Sequence, residues 1–136
     1  MESNHGTSVP YGDEIRSLAS LAMSIATVLV VIVAILHVAF AAGETIGWSA
    51  FAARFGYSKQ KTEDTRNLAL NQGAYNLGVA VMLGIALATG NWPTVQVLLG
   101  FIVAMAIVGG VSVRWTIFAI QGVPALAALA LVLANG

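Results

Sequence analysis

Between Leu18 and Ala42 the chain carries no Asp, Glu, Lys or Arg. Wound as an α-helix at 1.5 Å per residue, that stretch is about 37 Å long. It can therefore cross a hydrocarbon core of about 30 Å with some tilt. One such segment can be hidden in a soluble core, but three more follow, at about 67–88, 93–113 and 115–134. The whole sequence is 58% hydrophobic and 9% charged, where a soluble domain carries about 25% charged residues. So few charges cannot cover a water-facing surface, and the mean hydropathy of +0.85 agrees. The predicted fold class is all-α: a four-transmembrane-helix bundle with a short interfacial helix between helices 1 and 2.

Local signals mark the breaks. In "TGNWP" Gly90 stops the second apolar helix, and Pro93 opens the third at the first-turn position where proline is tolerated. Residues 1–16, "MESNHGTSVPYGDEIR", read as a polar N-terminal tail, expected to be poorly ordered. Residues 17–136 read as the integral membrane domain. The tail lacks the basic start of a signal peptide, and the apolar run after it is too long for one, so that run is expected to remain as an anchor.

Between the first two spans, "TIGWSAFAARFGYS" places Trp48, Phe51 and Phe55 on one helical face with Arg54 off it. This pattern suits a short helix lying in the headgroup region, where aromatic residues are favoured. "KQKTEDT" then turns the chain, with Thr62 as an expected N-cap and Glu63 and Asp64 in the first turn of the next helix. Arg54, Lys59, Lys61, Arg66 and Arg114 fall in the first and third loops, and Arg16 alone lies on the other side. By the positive-inside rule those loops are cytoplasmic and both termini face out of the cytoplasm. The location read from this is a membrane crossed several times.

Polar side chains gather toward one end of the spans. His37 and Glu44 are seven residues apart and share a face of helix 1. Asn71, Gln72, Tyr75 and Asn76 cover a sector of roughly 140° at the start of helix 2. Gln121 lies about two turns into helix 4, next to Pro124, which frees the carbonyl of Ile120 and bends the axis. Lipid offers these groups no partners, so they must face the bundle interior or a watery cavity. Pairs of small residues four apart, Ala74/Gly78, Ala80/Gly84 and Ala106/Gly110, are candidates for close helix packing. Taken singly, an amide or phenol in a membrane helix commonly bonds a neighbouring helix and does nothing more. A solvated carboxylate near the interface is an equally ordinary reading of Glu44. The convergence of so many polar groups from three helices points instead to a shared cavity.

"LHVAFAAGETIGW", "NLALNQGAYNLGVAV" and "FAIQGVPALAALAL" together resemble the bacterial membrane family catalogued as domain of unknown function 1304 (DUF1304). The resemblance covers about residues 25–134. The family's motif positions fall on His37, Glu44, Trp48, Asn71, Gln72, Gly73, Tyr75, Asn76, Gln121 and Pro124. It implies a four-helix membrane fold and no settled activity or substrate, and the sixteen-residue tail goes beyond it.

Formal net charge is zero and there is no basic run, which argues against nucleic acid as a partner. The sequence has no cysteine, no phosphate-binding glycine loop, no serine-nucleophile motif and no HExxH. His37 and Glu44 are the only good metal ligands within the spans, so no metal and no cofactor is expected. The leading expectation is a protein whose polar pocket, in the cytoplasmic half, binds an amphipathic lipid- or isoprenoid-like molecule. In it His37 and Glu44 are candidate acid–base groups for isomerisation, cyclisation or epoxide opening. Trp48, Asn71, Gln72, Tyr75, Asn76 and Gln121 are the candidate ligand-binding residues. The alternatives are a small proton-coupled transporter acting as a homo-oligomer, and a scaffold subunit of a membrane complex. Topology is directly testable: a reporter fused after Gly136 is expected to be active outside the cytoplasm, and one inserted at Lys59 inside. The reverse pattern overturns the orientation.

Overall fold

The computed structural model describes residues 10–135. The expected tail therefore lies outside the described residues over 1–9, while residues 10–16 belong to the first helix. Every long element is helical: α1 (Pro10–Thr45), α2 (Trp48–Arg54), α3 (Lys59–Asp64), α4 (Arg66–Ala88), α5 (Trp92–Ser112) and α6 (Trp115–Asn135). Helices α1, α4, α5 and α6 are each long and apolar enough to cross a membrane, and the chain is a multi-pass membrane protein. The short helix between the first two spans is α2, followed at once by α3.

Helix α1 starts earlier than the apolar run. Proline at its first position and Asp13 in its first turn both favour initiation there, and no strong breaker follows. From Gly12 to Leu21 it is exposed throughout. Deeper along the chain it packs mainly on α4 and then on α6, while α5 closes the ring by packing on α6 and, more sparsely, on α4. The centre is built from alanine, valine and leucine side chains, among them Ala26, Val30, Val33, Leu83, Val95, Leu99, Ala125, Ala128 and Val132. In lipid there is little hydrophobic force between helices, and such residues hold a bundle by letting axes approach closely.

The α4–α5 turn follows the expected punctuation. Gly90 adopts φ +65°, and Asn91 N–H donates to the Ala86 carbonyl at 2.8 Å while Gly90 N–H reaches Leu87. This is the Schellman closure of α4. The Asn91 side chain then accepts from Thr94 N–H at 3.2 Å and caps α5. The cap before α4 differs from expectation. Ser58, not Thr62, caps a helix here, accepting from Lys61 N–H at 3.2 Å, and Thr62 lies inside α3 with Glu63 and Asp64 after it. The sequence "YSKQKTED" holds two hydroxyl residues at cap-like spacings, and the earlier one starts a separate short helix.

The small-residue pairs are used selectively. Ala106 is fully buried, and a Cβ on Gly110 would lie 2.8 Å from Phe118 Cβ, so this pair does pack closely. Gly78 and Gly84 face open space. The tight crossing of α1 and α4 is made instead by Gly73, where a Cβ would meet Thr45 Cγ2 at 2.6 Å and the Ala41 carbonyl oxygen at 3.1 Å. Spacing alone cannot say which face of a helix meets a neighbour. Gly73→Ala is accordingly expected to cost about 1–3 kcal/mol, because backbone must shift to admit the methyl group. Gly78→Ala is expected to be neutral or slightly stabilising, through helix propensity. Thermal unfolding of both variants in detergent checks the contrast, and equal melting would remove the close crossing from the account.

Candidate functional site

At the end of the bundle that carries α2 and α3, α4 and α5 part. A cleft of about 690 Å³ lies there. One rim is Leu68 and Tyr75 on α4, and the other is Phe101, Met105 and Val108 on α5; all five are exposed. The cleft therefore opens sideways, between two spans, as well as toward the end of the bundle.

Its polar groups come from α1, α4 and α6: His37, Glu44, Gln72, Tyr75, Asn76 and Gln121 all line it. The link between helices is Asn76 Nδ2–H, which donates to Glu44 Oε2 at 2.7 Å. Asn76 is itself buried, at 8% exposure. The bond is possible because Gly73, one turn earlier on α4, brings the α1 backbone close. Glu44 has no further hydrogen-bond partner among the described residues. Among the described residues no buried side-chain nitrogen or oxygen is left without a partner, so its second carboxyl oxygen, which has none, is not sealed from the cleft it lines. His37 is 4% exposed, and its Nδ1 lies 2.8 Å from the Val33 carbonyl. A carbonyl can only accept, so Nδ1 carries the hydrogen and Nε2 is the nitrogen left for the cleft. No hydrogen bond joins His37 to Glu44 among the described residues.

Gln121 is positioned by an irregularity in α6. Pro124 has no N–H for the carbonyl of Ile120, and the helix widens into a π turn over Phe118–Gly122. Val123 N–H donates five residues back, to Phe118. Single π turns of this kind often occur at functional sites. Gly122 makes room for it: a Cβ there would lie 2.7 Å from the Phe118 ring and 3.1 Å from Ala106.

The remaining wall is aromatic. Phe40, Trp48, Phe51, Phe55 and Tyr57 all line the cleft. Phe51 meets Phe40 and Phe55 edge-on at 6.1 and 5.2 Å between centroids, and Trp48 meets Tyr57 likewise at 6.0 Å. Gly43 lets Phe51 settle on α1, since a Cβ there would stand 2.9 Å from the ring. Trp48 Nε1–H donates to the Thr62 carbonyl at 2.9 Å and fastens α2 to α3. Arg114 reaches the Arg54 carbonyl at 3.3 Å, which ties the α5–α6 turn to the end of α2. Thus the face of α2 expected to lie against headgroups turns inward and walls the cleft. An amphipathic period fixes which residues share a face, not whether lipid or protein covers it.

Of the candidate residues, Asn71 alone is not brought to the cleft. It is exposed, lines no part of the cavity and makes no side-chain hydrogen bond among the described residues. Five residues separate it from Asn76, about 140° around the helix, which is wide enough to put one inside and the other out. Phe40, Tyr57, Phe101 and Met105 were not singled out in the sequence. The density of aromatic residues from Phe40 to Tyr57 was the available signal for the first two. The family model described as protein of unknown function (DUF1304) matches residues 31–133. No curated protein and no solved structure matches the chain.

The two asparagines give a clean contrast. Asn76→Leu removes the donor to Glu44 and is expected to cost about 1 kcal/mol, the scale of couplings between membrane helices. Asn71→Leu is expected to leave the melting temperature unchanged. Equal losses in thermal unfolding would contradict the assignment of inner and outer faces.

Proposed function

The chain belongs to the DUF1304 family, and on that premise we propose that it binds an amphipathic, lipid- or isoprenoid-like molecule drawn sideways from the bilayer into the cleft. A fold and a family name assign no chemistry, so the reading rests on the site. The observation that carries it is the division of the lining. His37, Glu44, Asn76 and Gln121 provide polar atoms, while Val79, Phe101, Ile102, Met105 and Val108 provide an apolar wall beside an opening between two spans. A molecule with a polar end and a hydrocarbon body satisfies both parts. Water or the occupant's headgroup meets the polar atoms, and the body remains in the surroundings it had in lipid.

In this reading Asn76 holds the Glu44 carboxylate in place. His37 Nε2 and Glu44 are the groups able to take or give a proton at the bound headgroup. Such acid–base chemistry suits isomerisation, cyclisation or epoxide opening and requires no cofactor. With the basic loops in the cytoplasm, the cleft lies in the inner leaflet of a bacterial inner membrane and both termini lie outside. Conduction would need a polar path to the other end of the bundle. The far core is Ala26, Val30, Leu83, Leu99 and Val132, which favours binding over passage.

Gln72 and Gln121 test this, because neither side chain has a hydrogen-bond partner among the described residues and the fold does not rest on them. The full chain in detergent is expected to melt higher with total membrane lipid extract than without it. Gln72→Leu and Gln121→Leu are expected to keep the lipid-free melting temperature and lose most of the rise. If both variants lose stability equally with and without extract, these amides serve packing and the binding reading fails.

A further inference from the structure

Among the described residues the cleft is lined by one carboxylate, one imidazole (His37) and no lysine or arginine. Among its lining residues Glu44 is the only acid, and neither Lys nor Arg is present. Two basic side chains near the cleft have partners of their own, and neither pairs with Glu44. Arg114 bonds the Arg54 carbonyl, and the Lys61 ammonium lies 4.0 Å from the centroid of the Tyr57 ring. The partner given to Glu44 is a neutral amide, through one oxygen only. A charge withdrawn from water is costly unless it is paired and hydrogen-bonded. Here the hydrogen bond comes from the protein and the counter-charge does not.

The walls near that carboxylate are of a kind that accommodates cations. Phe40, Phe51 and Phe55 meet edge to face, as do Trp48 and Tyr57. In each edge-to-face pair the ring that presents its edge keeps its own faces out of that contact. The face of an aromatic ring attracts an ammonium group within about 6 Å of its centre, more strongly where water is excluded. Tyr57 already does this with Lys61.

We infer that the occupant of the cleft is an organic cation of the ammonium type attached to an apolar body, its charge lying between Glu44 and the faces of the surrounding rings. The inference rests on the amphipathic-ligand reading above and narrows it to one charge class. A fatty acid or an anionic lipid headgroup is disfavoured in the same site, because its charge would meet that of Glu44 with no lysine or arginine in the lining to offset it.

Three probes with the same ten-carbon chain separate the possibilities: decyltrimethylammonium, decanol and decanoate. Each is titrated calorimetrically into the full chain in dodecyl maltoside, the two ionic probes below their micelle concentrations and decanol below its solubility limit. The cation is expected to bind saturably and at least about ten-fold more tightly than the alcohol or the acid, a difference of about 1.4 kcal/mol. Glu44→Gln retains an oxygen for Asn76 and is expected to abolish the cation's advantage over decanol. Phe51→Leu keeps an apolar side chain of similar bulk and is expected to weaken the cation several-fold and decanol hardly at all. Should Glu44→Gln not fold, the wild-type ranking and Phe51→Leu decide the matter. If decanol or decanoate binds as tightly as the cation, or if the preference survives in the variants, the charge assignment is overturned and the amphipathic reading stands. If none of the three binds saturably, both fall.

Discussion

A carboxylate beside a hydrocarbon core needs a donor, and in this protein the donor comes from another span. Asn76 on α4 reaches Glu44 on α1 at 2.7 Å only because Gly73 removes the side chain that would hold the two helices apart. The hydrogen bond and the missing Cβ are therefore one arrangement. The glycine sets the distance, and the amide and carboxylate set the register. With α1 and α4 locked at this crossing, the end of α1 is placed so that Gly43 can receive Phe51, and α2 folds back over the bundle end instead of lying away from it. The aromatic wall follows from the same crossing that pairs the two polar groups.

The opposite wall is fixed by a second departure from regular packing. α6 tolerates Pro124 by widening into a π turn, and Gly109, Gly110 and Gly122 give Ile117 and Phe118 room against α5. Two tight contacts, α1 on α4 and α5 on α6, thus hold two pairs of helices. Between the pairs, α4 and α5 are joined at the Gly90–Asn91 turn and separate toward the other end. A four-helix membrane protein of this size has little interior to spare. It gains a cavity by packing α1 on α4 and α6, and α6 on α5, and leaving the α4–α5 seam loose. The rim of that loose seam is exposed.

The amides of α4 have two different fates, and the difference is physical. Asn76 is buried and bonded, whereas Asn71 points away from the bundle. In lipid an exposed amide has few partners, so the outward position of Asn71 is tolerated near the first turns of the helix, where the chain enters from the polar loops.

Much of this protein was legible in its amino-acid order. The apolar runs were long enough to require membrane spans, and Gly90, Asn91 and Pro93 marked a turn that obeys local backbone chemistry. The depth of His37, Glu44, Asn76 and Gln121 along their helices placed them at one end, because rise per residue is constant. These properties depend on period, length and local capping, which a chain carries in itself. What only the tertiary structure decided was azimuth and approach: which glycines met a neighbour, whether the Trp48–Phe51–Phe55 face turned to lipid or to protein, and that Asn71 and Asn76 part company. A hydropathy pattern on a membrane helix is nearly featureless around its circumference, since lipid and a packed Val or Ala core are both apolar. The choice of facing side falls to steric fit between helices far apart in sequence, and the Gly73 crossing, thirty-two residues of chain closed by the Glu44–Asn76 bond, is where that fit was made.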